Sequence, residues 1–317
     1  MSDSINRRSF LQKSSALAIG SAIAGSGLVN SGCNAAADNG AELIKAACIG
    51  VFPRDISVME KFQMAADTGF KGIEPNTIRT PEEVEEYREA SEATGVKIHS
   101  IMNSDHWRYS LTDDDPEVVK QSVEGIKTSM QNAKDLGADA ILLVPGIVTP
   151  QVRYVEVYER SQQQIRELLP LAEEMDVVIA IENVGNRFLM SPLEFAQYID
   201  DFSSPYVKVY FDVGNVVRYG FPQDWIRTLG DRLVKLHIKR FEPGREHALF
   251  DPEDRRTEGI DWADVRKAID EVGYKGYVSA EVRGGDKAVV QEISDRIDKI
   301  FAGENPVPPE EVLKEDA

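Results

Sequence analysis

Short apolar runs alternate with amphipathic stretches along most of the chain, and the alternation repeats eight times between residues 46 and 302. The apolar runs are AACIGVF (46–52), KGIEP (71–75), VKIHSI (96–101), DAILLVP (139–145), VVIAIE (177–182), VKVYFD (207–212), LVKLHI (233–238) and YVSAEV (277–282). None shows a strict apolar–polar alternation, the pattern expected of parallel strands covered on both faces. Helical periodicity fills the gaps: Ser57–Asp67, Pro81–Ala93, Pro116–Leu136, about Val155–Met175, Pro192–Asp201, Pro222–Leu229, Trp262–Val272 and Asp286–Phe301. Thr80–Pro81–Glu82–Glu83 supplies a cap, a first-turn proline and early acids, and Asp115 precedes Pro116 in the same way. Gly69, Gly95, Gly137 and Gly273 each fall between a helix and the next strand, where a left-handed C-cap is wanted.

The last four of these runs each carry an ionisable residue at or next to their C-terminal end: Glu182, Asp212, His237 and Glu281. A charged group at the end of a buried strand is costly unless something pairs with it. Four of them share one place only if the strands are parallel and the sheet curls until their C-terminal ends face each other. Three carboxylates and one imidazole then form a hard, oxygen-rich cage suited to a divalent cation. The repeat of strand and helix, the span of roughly 250 residues and this convergence all predict a single (β/α)8 TIM barrel over residues 46–302. A doubly wound open sheet is the alternative, but it gives the four side chains no reason to meet.

The chain carries a formal charge of −18, which disfavours nucleic acid and anionic lipid as partners. Residues 1–37 read as a leader rather than part of the fold. Asn6-Arg7-Arg8-Ser9-Phe10-Leu11-Gln12-Lys13 resembles a twin-arginine export motif, and Ala35-Ala36-Ala37 offers a cleavage site before Asp38. The stretch 16–29 is too rich in glycine to form an integral membrane span. Export to the periplasm is the expectation, with a lipid anchor on Cys33 as the alternative. Loss of the leader would leave the mature chain near −20. Residues 38–45 read as a linker and 303–317 as a solvated acidic tail. Two cysteines, Cys33 and Cys48, provide no disulfide framework. A homo-oligomer stays open.

Glu182, Asp212, His237 and Glu281, with His237-Ile-Lys239 and Glu258-Gly259-Ile260-Asp261-Trp262, resemble the xylose-isomerase-like TIM-barrel superfamily, and within it the sugar phosphate isomerase/epimerase group. That group includes ketose 3-epimerases, hexulose-phosphate 3-epimerases and inosose dehydratase. The resemblance implies one divalent cation (Mn, Mg, Co or Zn) held by the four residues. It also implies that Glu182 and Glu281 exchange a substrate proton from opposite faces of a metal-held enediolate. The substrate is then a sugar, keto-sugar or related polyol. Glu74, Asn103, His106, Trp107, Asn183, Asn186, Asn215, Lys239 and Arg240 follow strand ends and are expected to wall the pocket, with residues 244–256 as a lid. His237 needs an acceptor for its second ring nitrogen, which the sequence does not identify. Arg283-Gly284-Gly285 opens the last helix, where backbone amides suit an anion or simply a turn.

Three departures qualify the resemblance. ENVGNRFL carries one extra residue and places Leu189 where ketose 3-epimerases have a sugar-contacting acid. Asn215 stands where they have histidine, and Thr257-Glu258-Gly259 replaces Gly-Glu-Gly. The metal set and the proton-transfer pair carry over, while specificity for a free ketohexose does not. Export argues against a phosphorylated substrate. The same site would also serve a lyase or dehydratase acting on a keto-sugar or inosose. A phosphodiesterase of the endonuclease IV type needs several more histidines than His99, His106, His237 and His247. A non-catalytic barrel is the remaining alternative.

Overall fold

The computed structural model describes residues 42–241 and 259–306. The leader, most of the linker, the lid segment 244–256, Glu258 and the tail beyond residue 306 lie outside the described residues. Among the described residues, nine strands form one parallel sheet: β1 (Leu43–Cys48), β2 (Gly72–Glu74), β3 (Lys97–Ile98), β4 (Ile101–Met102), β5 (Ala140–Leu143), β6 (Val178–Glu182), β7 (Val207–Asp212), β8 (Leu233–Ile238) and β9 (Gly276–Ala280). Their lateral order is β3-β2-β1-β9-β8-β7-β6-β5-β4. β3 and β4 are the two halves of one predicted strand, interrupted at His99 and Ser100, so the sheet curls into a nearly closed barrel. The seam is bridged by a parallel pairing of Asn76 with Met102.

Eight α-helices of the described residues alternate with the strands: α1 (Val58–Asp67), α2 (Pro81–Thr94), α3 (Pro116–Leu136), α4 (Tyr154–Met175), α5 (Pro192–Asp200), α6 (Pro222–Leu229), α7 (Trp262–Glu271) and α8 (Lys287–Phe301). Their ends follow local chemistry. Ser57 with Glu60 and Thr80 with Glu83 form capping boxes, and the Asp115, Asp261 and Asp286 carboxylates accept first-turn amides. The glycines expected to end helices, Gly69, Gly95, Gly137 and Gly273, all take positive φ of 68–87°. Among the described residues, no helix is long and apolar enough to cross a membrane.

One strand is displaced from expectation. The run 46–52 was expected to be extended throughout, whereas β1 begins at Leu43 and 49–51 turn into a short 3₁₀ helix. The earlier start is set by pairing with β9, from Leu43 opposite Gly276 to Ala47 opposite Ala280.

The twofold alternation hidden by the apolar runs decides which side chains enter the barrel. Ala47, Ile73, Ile179, Ile181, Phe211, Leu236, Ile238, Val278 and Ala280 face the main core beneath the helices. A smaller cluster of Ala140, Leu142, Ala180 and Tyr210 fills the barrel interior. Glu182 lies two residues beyond Ala180, and Asp212 two beyond Tyr210. Cys48, Glu74, His237 and Glu281 each lie one residue from an outward-facing neighbour (Ala47, Ile73, Leu236 and Ala280), which gives them the inward parity.

Candidate metal centre

Ladder register delivers the four predicted ligands to one end of the barrel. Asp212 pairs opposite His237, and Glu182 opposite Tyr210. Glu281 comes directly after β9, where its amide donates to the Ile238 carbonyl at 3.0 Å. One donor atom from each of Glu182, Asp212, His237 and Glu281 falls within 4.8 Å of the others. Nδ1 of His237 lies 3.3 Å from Glu182 Oε1, 3.4 Å from Glu281 Oε2 and 4.0 Å from Asp212 Oδ2. Donors that share one ion at about 2.0–2.2 Å stand about 3 Å or more apart, so these spacings suit a common ion.

The electrostatics point the same way. Burial pushes the Glu182 carboxyl up to about 7 and the Asp212 carboxyl up to about 6, against the opposing pull of His237 and Lys239. The site is therefore short of positive charge even with both cations beside it. Burial also works against Glu281, but His237 and Lys239 outweigh it and hold this carboxyl below its ordinary range. Lys239 Nζ sits 2.9 Å from Asp212 Oδ2 and 2.6 Å from Glu281 Oε2 as an ion pair. Neither oxygen accepts an aligned hydrogen bond, although both are shielded from water. Two buried carboxylate oxygens that take no hydrogen bond are the donors a divalent cation would use. The residues present fit the group.

The nine residues expected at the pocket wall divide into three sets. Asn215, Lys239 and Arg240 do line a cleft of about 640 Å³, together with Arg218, Tyr219, Glu281 and Arg283. Arg218 and Tyr219 were not singled out by the sequence, because they lie past the strand end on an irregular loop with no local signature.

A second set builds the frame. Asn183 is clamped to the Asp212 backbone, donating to its carbonyl and accepting its amide, both at 2.8 Å. Asn215 donates to the Asn183 carbonyl at 2.9 Å, and its own amide caps Asp212 Oδ1 at 2.7 Å. Asn186 ties its loop to the Gly146 carbonyl at 2.7 Å. These asparagines hold the loops that carry the ligands, and Asn183 and Asn186 are buried rather than on the wall.

The other four expected residues take different places. Glu74 is 1 % exposed and lies inside the barrel, because its parity on β2 points it inward against His237. Asn103 is wholly buried, accepting the Asp105 amide and the Ser129 hydroxyl. His106 is buried with its Nδ1 unpartnered, and burial pushes its pKa down to about 4 despite Asp105 and Glu281 nearby. Trp107 is 57 % exposed and packs edge-on against His106 with ring centres 5.2 Å apart. Among the described residues that line the 640 Å³ cleft, neither ring is found. Leu189, in place of the family's acid, is buried at φ 53° with its amide donating to the Tyr154 hydroxyl.

The comparisons with known proteins agree with this architecture. The family model described as xylose isomerase-like TIM barrel matches residues 62–301. An L-ribulose-5-phosphate 3-epimerase, UlaE, of Escherichia coli O1:K1 is 25 % identical over 197 residues, covering 59 % of this chain and 69 % of that protein. Among solved structures, a D-tagatose 3-epimerase-like protein superimposes with a TM-score of 0.66 at 20 % identity, over 86 % of this chain and 100 % of that one. The 3-keto-D-glucoside 4-epimerase YcjR from E. coli gives a TM-score of 0.66 at 16 % identity, over 83 % of this chain and 99 % of that one. At these identities the solved structures speak to the fold alone. From the match over residues 62–301 and the nearly closed parallel barrel, the chain belongs to the xylose isomerase-like TIM barrel family.

Proposed function

We propose that this protein is a divalent-metal-dependent epimerase or isomerase of a keto-sugar or related polyol, working by proton removal next to a carbonyl. The observation that carries the reading is the convergence of Glu182, Asp212, His237 and Glu281 beside a cleft large enough for a sugar. These four residues would hold the cation. The chemistry a cation supplies there is Lewis-acid stabilisation of the oxyanion that develops as the proton leaves. A carboxyl pushed up to about 7, as in Glu182, is matched to giving and taking a proton near neutrality. Glu281 reaches the same point from the end of β9, with β8 and β7 between it and β6, and its cationic neighbours favour its ionised form. One glutamate takes the proton and the other returns it on the opposite face, which inverts the carbon. Asn215, Tyr219 and Lys239 line the cleft as partners for substrate hydroxyls. A leaving group β to the carbanion would turn the same steps into an elimination.

A second reading concerns the substrate's charge. Arg218 and Arg283 are exposed on the cleft wall of a strongly acidic protein, beside Lys239 and Arg240. That concentration of cations favours a keto-sugar bearing an anionic group, and a curated relative is named for a sugar phosphate. Metal-loaded protein incubated with free keto-sugars, keto-glycosides, inososes and ketose phosphates, followed by NMR, separates the two. Turnover confined to the phosphates establishes the second reading. No turnover of any member, or turnover unaffected by EDTA, contradicts the proposed function.

A further inference from the structure

Glu74 stands behind the candidate ligands rather than among them, and both its oxygens are occupied. Oε1 accepts the Ser100 hydroxyl at 2.8 Å. Oε2 lies 2.6 Å from His237 Nε2 and 3.4 Å from the Cys48 thiol. A carboxylate this deeply buried is costly without such partners. His237 is thus held from both sides: Nε2 meets Glu74, while Nδ1 faces Glu182, Asp212 and Glu281.

Cys48, Glu74 and His237 are themselves close enough to suggest a second ion site. The 2.6 Å spacing speaks against that. It is a hydrogen-bond length, shorter than the separation of about 3 Å or more between two donors on one ion. A proton, not a metal, belongs between Nε2 and Oε2. The hydroxyl that orients Glu74 comes from the break between β3 and β4, so this interruption of the sheet serves the contact.

We propose that Glu74 is a positioning residue of the metal centre. By accepting Nε2–H it fixes the ring orientation of His237 and leaves the Nδ1 lone pair aimed at the three carboxylates. The inference rests on reading that cluster as a metal site. Its test is Glu74→Gln in the whole chain, with Ser100→Ala as a milder variant that leaves Glu74 in place. Two quantities are read: Mn²⁺ affinity by calorimetry, and the His237 Nε2 proton by ¹H–¹⁵N NMR in metal-free and Mg²⁺-loaded protein. Glu74→Gln should fold cooperatively, bind Mn²⁺ about 10–100-fold more weakly, and shift the Nε2 proton away from its strongly hydrogen-bonded position. Ser100→Ala should move both readouts the same way by less. Wild-type binding of Mn²⁺ with unchanged affinity and an unmoved Nε2 proton in Glu74→Gln would overturn the role of Glu74 alone. A wild type that takes up no Mn²⁺ would overturn the metal reading, and this proposal with it.

Discussion

At the scale of single residues, His237 is the pivot of the site, touching three candidate ligands through Nδ1 and Glu74 through Nε2. His237→Ala should leave a folded barrel that has lost most of its metal affinity, measured by Mn²⁺ titration. Retention of wild-type affinity would show that the ion binds elsewhere. Protons should compete with the ion. Burial raises the Glu182 carboxyl to about 7 and the Asp212 carboxyl to about 6, so both favour a proton in place of an ion at lower pH. His237 stays protonated above its ordinary range, because Tyr210, Cys48 and Glu74 outweigh its burial. Metal affinity should therefore fall as the pH drops from 8 to 5, by up to about tenfold per pH unit for each proton displaced. Affinity independent of pH over that range would contradict this account of the cluster. The four candidate ligands were legible in the sequence because each stands at or next to the end of an apolar run. The role of Glu74 was not, because a carboxylate after two apolar residues looks the same whether it faces a cleft or another side chain. Only the parity of Gly72 and Glu74, set by pairing with β1, separates the two.

At the scale of elements, the helices were the most legible part, since Ser57, Thr80, Asp115 and Asp286 announce their own caps. Strand ends were less so. An apolar run such as 46–52 contains no period to mark its register, and pairing with β9 decides where β1 stops. The break between β3 and β4 leaves no sequence mark beyond the polar pair His99–Ser100. The turn at Arg283-Gly284-Gly285 has a plain structural reason. A Cβ on Gly284 would come within 1.6 Å of the Val51 carbonyl oxygen, so the loops after β1 and β9 meet backbone to backbone. Gly284→Ala should force them apart at a cost of about 1–3 kcal/mol. Thermal unfolding monitored by circular dichroism would register this as a fall of several degrees in Tm, and an unchanged Tm would show that the loops adjust freely.

At the scale of the whole molecule, a barrel closed by helices places its chemistry at the C-terminal strand ends and leaves its acidic exterior free of that task. Export is proposed on the sequence alone, since the leader lies outside the described residues. Replacing Arg7 and Arg8 with lysine should retain the protein in the cytoplasm with its fold and activity intact, as cell fractionation would show. Normal delivery of the double variant to the periplasm would remove the twin-arginine reading. The central claim is that Glu182 and Glu281 move one substrate proton between two faces of a carbon next to a carbonyl, and turnover in D₂O tests it most directly. Wild-type protein should place deuterium on that carbon. Glu182→Gln and Glu281→Gln should each lower turnover by about 10²–10⁴ while the fold persists. One of them should abolish exchange and the other confine it to the face the proton left. Full exchange and inversion surviving in both variants with metal bound would contradict the account.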